Sequence, residues 1–425
     1  MVYLFNKTSF VLLLALFFSS CLTDVEESIE LRTLNIENLD SLVKNIDFTL
    51  YDTIPYFKDK EFPIVGWRGI QSQNFTFERF IELRNSGINL VLVGFANVDS
   101  VHKALDIAEQ VGVKIIIRTP ELYTHTEQTV KRFMNHPANA GYYLQDEPTL
   151  EDLGRLSSLS KTIEAIDNTR FTFVNLQPDF GVSDKYKAEN YKQYIQQYIY
   201  EIPLKILSFD FYPIVNNYIR SNWYNNLEMI KDEAYKASIP FWAFALTSEH
   251  WDYPKPTIEH LRLQVYSNLA YGATGIQYFT YWIPIEKEMF TSAPIDREGN
   301  KTEEYYILQQ MNKEIQNYSS VFLTSKVKKV GHYGNIPHGT SKLSSLPDFV
   351  NSLKIYGGNA LVSELENDNY SFFMIQNTNL FHEIGINIKT NNKTQIILKN
   401  GSIIPVSLIK EEFKLSPGDM VLFMS

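Results

Sequence analysis

The sequence predicts a (β/α)8 TIM barrel with a C-terminal antiparallel β-sandwich, and three observations carry that reading. From about residue 60, short apolar runs alternate with amphipathic stretches, the pattern of a parallel sheet covered by helices. Eight such runs fall within roughly 260 residues, the usual size of such a barrel. Beyond about residue 325 the helical period stops, and short apolar segments separated by Asn, Gly and Asp turns take over. With 425 residues, 44% of them hydrophobic, the chain can fill a large core and a second one, since single cores stop growing near roughly 250–300 residues. A doubly wound sheet is the alternative, but no Gly-rich phosphate loop follows the first run.

The elements follow in order. Pro63–Trp67 is the first strand, and a helix over Thr76–Ser86 is closed by Gly87. Ile88–Phe95 is the second strand, followed by a helix that Asp99 caps and Gly112 ends. Val113–Arg118 is the third strand, with a helix through Thr126–Asn135, and Ala140–Gln145 is the fourth, running into Asp146-Glu147-Pro148. Arg170–Asn175, Leu204–Phe211, Pro240–Leu246 and Ala273–Tyr281 are strands five to eight. Helical stretches lie at Tyr191–Tyr200, Tyr224–Ala237, Thr257–Ala270 and about Thr302–Tyr318. The strands are apolar on both faces, as helix-covered strands must be. The barrel is expected over residues 56–322 and the sandwich over 325–425, with strands such as Ala360–Ser363, Tyr370–Gln376 and Met420–Met424.

The N-terminus reads as a leader. Lys7 precedes the apolar run Ser9–Phe18, too short for the roughly 20 residues that span a bilayer. Ser19-Ser20-Cys21 completes a stretch that resembles the lipobox of bacterial lipoproteins, with Phe18 where that pattern has Leu. Cys21 is the single cysteine and cannot form an internal disulfide. Residues 1–20 are therefore expected to be a signal peptide and Cys21 a lipidation site, with 21–55 an acidic tether and lead-in. The acidic Leu22–Glu27 resembles the surface-export signal of Bacteroidetes lipoproteins. The resemblance implies a lipid anchor in the outer membrane, on the cell surface or the periplasmic face.

The formal net charge of −10 argues against a nucleic-acid partner, which needs clustered Lys and Arg. A neutral polysaccharide fits better, and the 28 Phe, 26 Tyr and 5 Trp include candidate surfaces for sugar rings, although most must be core. The eight His show no metal-ligand spacing, so neither a metal nor another cofactor is expected.

In characterised barrel enzymes the active site lies at the C-terminal ends of the strands. The polar and aromatic residues there are Arg68, Asn97, Glu121, Asp146, Glu147, Gln177, Asp210, Glu249 with His250, and Trp282. Two carboxylates flanking a glycosidic bond suffice to hydrolyse it, and this set contains several.

Glu147 after strand four and Glu249 after strand seven resemble the catalytic pair of the retaining glycosidases of the 4/7 superfamily, clan A. Trp282 after strand eight is similar to that clan's sugar-platform Trp, and Gly299–Tyr305 resembles the matching segment of family 42 β-galactosidases. The resemblance covers residues 60–320. It implies a retaining glycoside hydrolase acting on a β-linked oligo- or polysaccharide, with Glu147 as acid/base, Glu249 as nucleophile and Trp282 against the substrate. Where the clan places Asn before the acid/base, this chain has Asp146, which can accept from a sugar hydroxyl and raise the pKa of Glu147. Asp210 and Asp252 are alternative nucleophiles. Asp210 and Tyr212 otherwise position the nucleophile, or Asp210 pairs with an Arg of the barrel. Arg68 is either a substrate contact or half of a rim ion pair. Trp67, Tyr123 and Trp251 are read as packing before platforms. The competing function is a catalytically inactive glycan-binding surface lipoprotein on a degenerate barrel.

Overall fold

The computed structural model of the chain describes residues 61–179, 183–284 and 287–425. The segments expected to be a signal peptide (1–20) and an acidic tether (21–55), with Cys21, lie outside the described residues. Eight parallel strands close into a barrel: β1 (Ile64–Trp67), β2 (Leu90–Gly94), β3 (Lys114–Arg118), β4 (Asn139–Asp146), β5 (Phe171–Leu176), β6 (Leu207–Phe209), β7 (Phe241–Leu246) and β8 (Gly275–Phe279). Each pairs with its sequence neighbours, and β8 closes on β1 with Trp67 opposite Phe279.

Around the barrel stand α1 (Phe77–Asn85), α2 (Asp99–Val111), α3 (Thr126–Phe133), α4 (Leu153–Ile166), α5 (Tyr191–Glu201), α6 (Trp223–Ala237), α7 (Ile258–Ala270) and α8 (Glu303–Asn317). Helix α4 was not legible in the sequence. Two of its four buried positions, Ser157 and Ser160, are polar and dilute the apolar period carried by Leu156 and Ile163. Asp99 begins α2 without capping it. The cap is the Asn97 side chain, which accepts from the backbone N–H of Asp99 at 3.1 Å and of Ser100 at 3.3 Å. Gly87 ends α1 at φ 89°, where a Cβ would stand 2.5 Å from that of Asn312.

Side chains alternate along each strand, so every second residue enters the barrel. Val65 and Trp67, Phe171 and Phe173, and Trp242 and Phe244 fill the interior with Leu92, Ile116, Tyr143 and Ile206. Trp67 meets Tyr143 edge-on at 5.4 Å and Phe244 at 5.0 Å. This aromatic layer makes the interior a packed plug with a floor on which a site can rest.

Residues beyond α8 form two antiparallel sheets. One contains β9 (Lys326–Tyr333), β11 (Ala360–Glu366), β12 (Ser371–Asn377), β14 (Gln395–Ile397), β15 (Ile403–Pro405) and β17 (Met420–Met424). The other contains β10 (Val350–Tyr356), β13 (Ile384–Thr390) and β16 (Glu412–Leu415). Val362, Phe373, Ile386, Phe413 and Phe423 lie in the core between them.

Helix α7 joins the two units. From His260 to Ala270 every residue is buried, because one face packs on the barrel and the other on the sandwich. Arg262 of α7 makes a bidentate pair with Glu314 of α8, at 3.0 and 2.6 Å, and stands 3.9 Å from Asp419. Ser267 donates to the side-chain carbonyl of Gln376 at 2.8 Å, and Ser363 donates to the Ala270 carbonyl at 2.7 Å. Among the described residues no helix is long and apolar enough to cross a membrane.

Candidate functional site

A cleft of about 280 Å3 opens at the C-terminal ends of the barrel strands. Trp67 and Phe244 form its floor, and its walls include Asp146, Glu147, Asn175, Asp210, Tyr212, Arg220, His250, Trp251, Tyr253, Phe279, Lys287 and Phe290.

Strand alternation assembles the polar part. On β5, Phe171 and Phe173 point inward, and the next inward position is Asn175. Along β6 and the residues flanking it the inward series is Ile206, Ser208, Asp210. A register shift in β4 between Tyr143 and Gln145 places Asp146 beside Asn175, and Asn175 lies beside Ser208. Three polar residues therefore sit in one row above the aromatic plug. Asn175 donates from its amide nitrogen to Asp146 at 3.2 Å and to Asp210 at 3.0 Å. Its carbonyl oxygen accepts from Ser208 at 2.8 Å, and Ser208 accepts from Gln277 on β8 at 2.8 Å. This chain fixes the orientation of the Asn175 amide with its nitrogen toward the carboxylates.

Glu147 leaves β4 with φ 42°, in the left-handed region that a residue with a side chain seldom adopts. The backbone around it is clamped. Its N–H donates to the Asn175 carbonyl at 2.9 Å, and its carbonyl accepts from Gln177 at 3.1 Å. The Pro148 carbonyl accepts from Tyr194 at 2.7 Å. Left-handed backbone at a clamped position next to a cleft is typical of functional sites.

The electrostatics follow from crowding three carboxyl groups into one recess. Burial raises the pKa of Glu147, the Asp146 charge raises it further, and Lys185 opposes both. By surface area Asp146 and Glu147 are exposed at the cleft mouth, yet the protein around them displaces enough water to raise both pKa values. For Asp146, burial raises the pKa against the Asn175 hydrogen bond and the charges of Arg118 and Arg68. Asp210 is enclosed, and burial plus the charges of Glu147 and Asp146 push it well above the usual carboxylate range. Burial lowers His250 to about 4, so its imidazole is neutral at pH 7.

The predicted residues are thus divided. Asp146, Glu147, Asp210 and Tyr212 come together in the cleft, as do Trp67 and Trp251. Glu249 is not among the lining residues: it is half-buried on the short strand Glu249–His250, paired with Phe290–Ser292 beside the cleft. Asp252 is exposed at a turn and also lies outside the lining. Trp282 is 2% exposed and packs under the Arg79 guanidinium, 5.2 Å from its ring. With Arg68 it borders a separate rim depression. The Gly299–Tyr305 segment has a packing role here, since the Gly299 carbonyl accepts from Arg79 at 2.7 Å. Asn97 serves as a helix cap, Gln177 as a backbone clamp, and Glu121 as the acceptor of the Thr119 hydroxyl.

Sequence reasoning missed Asn175, Arg220, Tyr253, Lys287 and Phe290. Asn175 carried a signal, a polar residue in the inward register of an apolar strand. Arg220, Tyr253 and Lys287 come from loops and Phe290 from a short strand outside the barrel, and none of the four carried a signal. Among the described residues no group of three or more His, Cys, Asp or Glu is arranged to hold a metal.

No family model matches the chain, and no curated protein matches it. Solved structures do. A protein described as a glycoside hydrolase is 10% identical, with a TM-score of 0.57 over 85% of this chain and 92% of its own. A glycoside hydrolase family 5 protein from Bacteroides vulgatus is 12% identical, with a TM-score of 0.55 over 85% of this chain and 88% of its own. An α-amylase from Geobacillus thermoleovorans, complexed with acarbose, is 9% identical, with a TM-score of 0.51 over 85% of this chain and 98% of its own. Likeness at this identity shows the fold, a (β/α)8 barrel with a C-terminal β-domain.

Proposed function

We propose that the chain is a glycoside hydrolase acting on a β-linked oligo- or polysaccharide, with Glu147 as the acid/base. The observation that carries this reading is the convergence of Glu147, Asp146 and Asp210 on an aromatic-walled cleft at the catalytic end of the barrel. A glycosidic oxygen leaves only when protonated, so the acid must hold a proton near neutral pH. Burial and the Asp146 charge favour that state for Glu147. As the bond breaks, positive charge develops on the sugar ring, and a carboxylate facing it lowers the barrier. Asp146, hydrogen-bonded by Asn175 and close to the charges of Arg118 and Arg68, supplies that charge.

For the opposing carboxylate we favour Asp210 over Glu249. Asp210 lines the cleft with Glu147, whereas Glu249 does not. Double displacement then requires Asp210 to give up its proton as substrate binds. The Asn175 amide, already donating to Asp210 at 3.0 Å, stabilises the anion. Lipid attachment at Cys21, with the barrel carried on the outer membrane, completes the proposal.

The test is turnover of a panel of aryl β-glycosides and β-linked polysaccharides by Glu147→Gln, Asp210→Asn and Glu249→Gln. The reading expects losses of about 10²–10⁴-fold for Glu147→Gln, a comparable loss for Asp210→Asn, and a small one for Glu249→Gln. Full activity in Glu147→Gln would overturn it, and the reverse order of the other two would restore Glu249 as nucleophile. The absence of Glu249 from the cleft favours one second reading, a glycan-binding barrel, which predicts oligosaccharide binding without turnover in the unaltered protein.

A further inference from the structure

Packing does not account for Trp251. It is 71% exposed, the most open of the five Trp, and its nearest ring neighbour is His250, 5.4 Å away and tilted. It also adopts φ 50°, in a region where Gly, Asn and Asp are the usual residues. The sequence thus places its largest apolar side chain in solvent, at a position that disfavours any side chain.

The surroundings hold it there. His250 and Tyr253 exchange backbone hydrogen bonds at 3.3 and 2.9 Å, so Trp251 and Asp252 form the tip of a tight turn. The Asp252 carbonyl accepts from the Asn216 N–H at 2.8 Å, which braces the tip against the two short strands Ile214–Val215 and Tyr218–Ile219. At the base, the His250 ring stacks on Phe290 at 4.3 Å and 19°. The indole is therefore presented on a fixed mount. It also borders the cleft that holds Asp146, Glu147 and Asp210.

A flat apolar face with a polar edge suits the C–H face of a pyranose ring, which a smaller or charged side chain matches poorly. Trp251 and the three carboxyl groups line the same cleft of about 280 Å3. We infer that Trp251 is the platform for a second sugar unit next to the one held over the carboxylates, so that the substrate is a glycan of at least two units crossing the lip formed by residues 250–253. The inference rests on the proposed glycoside hydrolase reading and extends it to a subsite.

The experiment uses the full chain, p-nitrophenyl β-monoglycosides, and β-1,4-linked gluco-, manno- and galacto-oligosaccharides of two to six units. Trp251→Ala should lower kcat/KM on the oligosaccharides at least tenfold more than on the monoglycosides, mainly through KM, and Trp251→Phe should recover most of the loss. In parallel, calorimetric titration of Glu147→Gln with and without Trp251→Ala should show weaker binding of the longer oligosaccharides, while the melting temperature is unchanged. An equal loss on both substrate classes, or no loss, overturns the platform and leaves the hydrolase reading standing. Weakened oligosaccharide binding in a protein that never turns over sinks the hydrolase reading and keeps the platform. Failure of Glu147→Gln to bind any of these glycans sinks both.

Discussion

Asp146 and Asp210 share one donor, the amide nitrogen of Asn175, at 3.2 and 3.0 Å. Asp146 at the end of β4 and Asp210 just beyond β6 are thereby fixed relative to each other by the strand between them, β5. Asn175→Ala should leave the enclosed Asp210 without that donor and lower stability by about 1–3 kcal/mol. Ser208→Ala, which takes the donor from the Asn175 carbonyl oxygen and the acceptor from the buried Gln277 amide, should also cost about 1–3 kcal/mol. Urea unfolding of the two variants checks both losses.

The pH dependence of activity should report Glu147. Its pKa is raised by burial and by the Asp146 charge, and the acid form is the active one, so turnover should fall as pH rises through that raised value. Asp146→Asn removes one of the two causes. The alkaline limb of the kcat/KM profile should move to lower pH in that variant, and an unmoved limb would detach the limb from Glu147.

Stability should move with pH through Asp210. Its folded-state pKa is raised well above the unfolded value, so the folded protein holds this proton to higher pH than the unfolded chain does. Above the unfolded carboxylate range, stability then falls with rising pH until Asp210 ionises. Asp210→Asn removes this loss. Relative to the unaltered protein, the variant should gain in melting temperature between acidic and neutral pH while losing activity. A constant difference across that range would count against a raised pKa.

Arg262 offers a test of the junction between barrel and sandwich. Removing one partner of a buried ion pair leaves a buried charge uncompensated, at a cost of about 3–5 kcal/mol. Arg262→Ala leaves the buried Glu314 of α8 with the neutral donors Tyr266 and Gln310 in place of its guanidinium, and takes one positive charge from beside Asp419, which keeps Lys399. Calorimetry should show a large drop in melting temperature in a single transition covering both units.

The barrel was legible because alternation of apolar runs and amphipathic helices is a strong periodic signal, and all eight strands fall within or beside the segments read from the sequence. Glu147 followed from its place after a strand. Much of the remaining site depended on geometry that composition does not encode. The register shift in β4 turns Asp146 toward Asn175, and no residue type announces it. Glu249 reads as a strand-end acid, but β7 stops at Leu246 and the chain turns into a separate short pair before Glu249 is reached. Trp282 matched a platform position by order along the chain, yet Arg79 covers its ring. Trp251, read as packing, is instead exposed at the cleft lip.

Helix α7 has consequences for descent as well as for folding. A helix buried on all sides belongs to neither unit alone. Its barrel face and its outer face must both find partners, Gln376 and Ser363 among the latter. A barrel of this kind cannot exchange its C-terminal module by simple recombination, because an incoming sandwich would meet an outer face shaped for another. The two units are expected to be inherited as a pair, with residues 258–270 changing in step with 360–376 from one relative to the next.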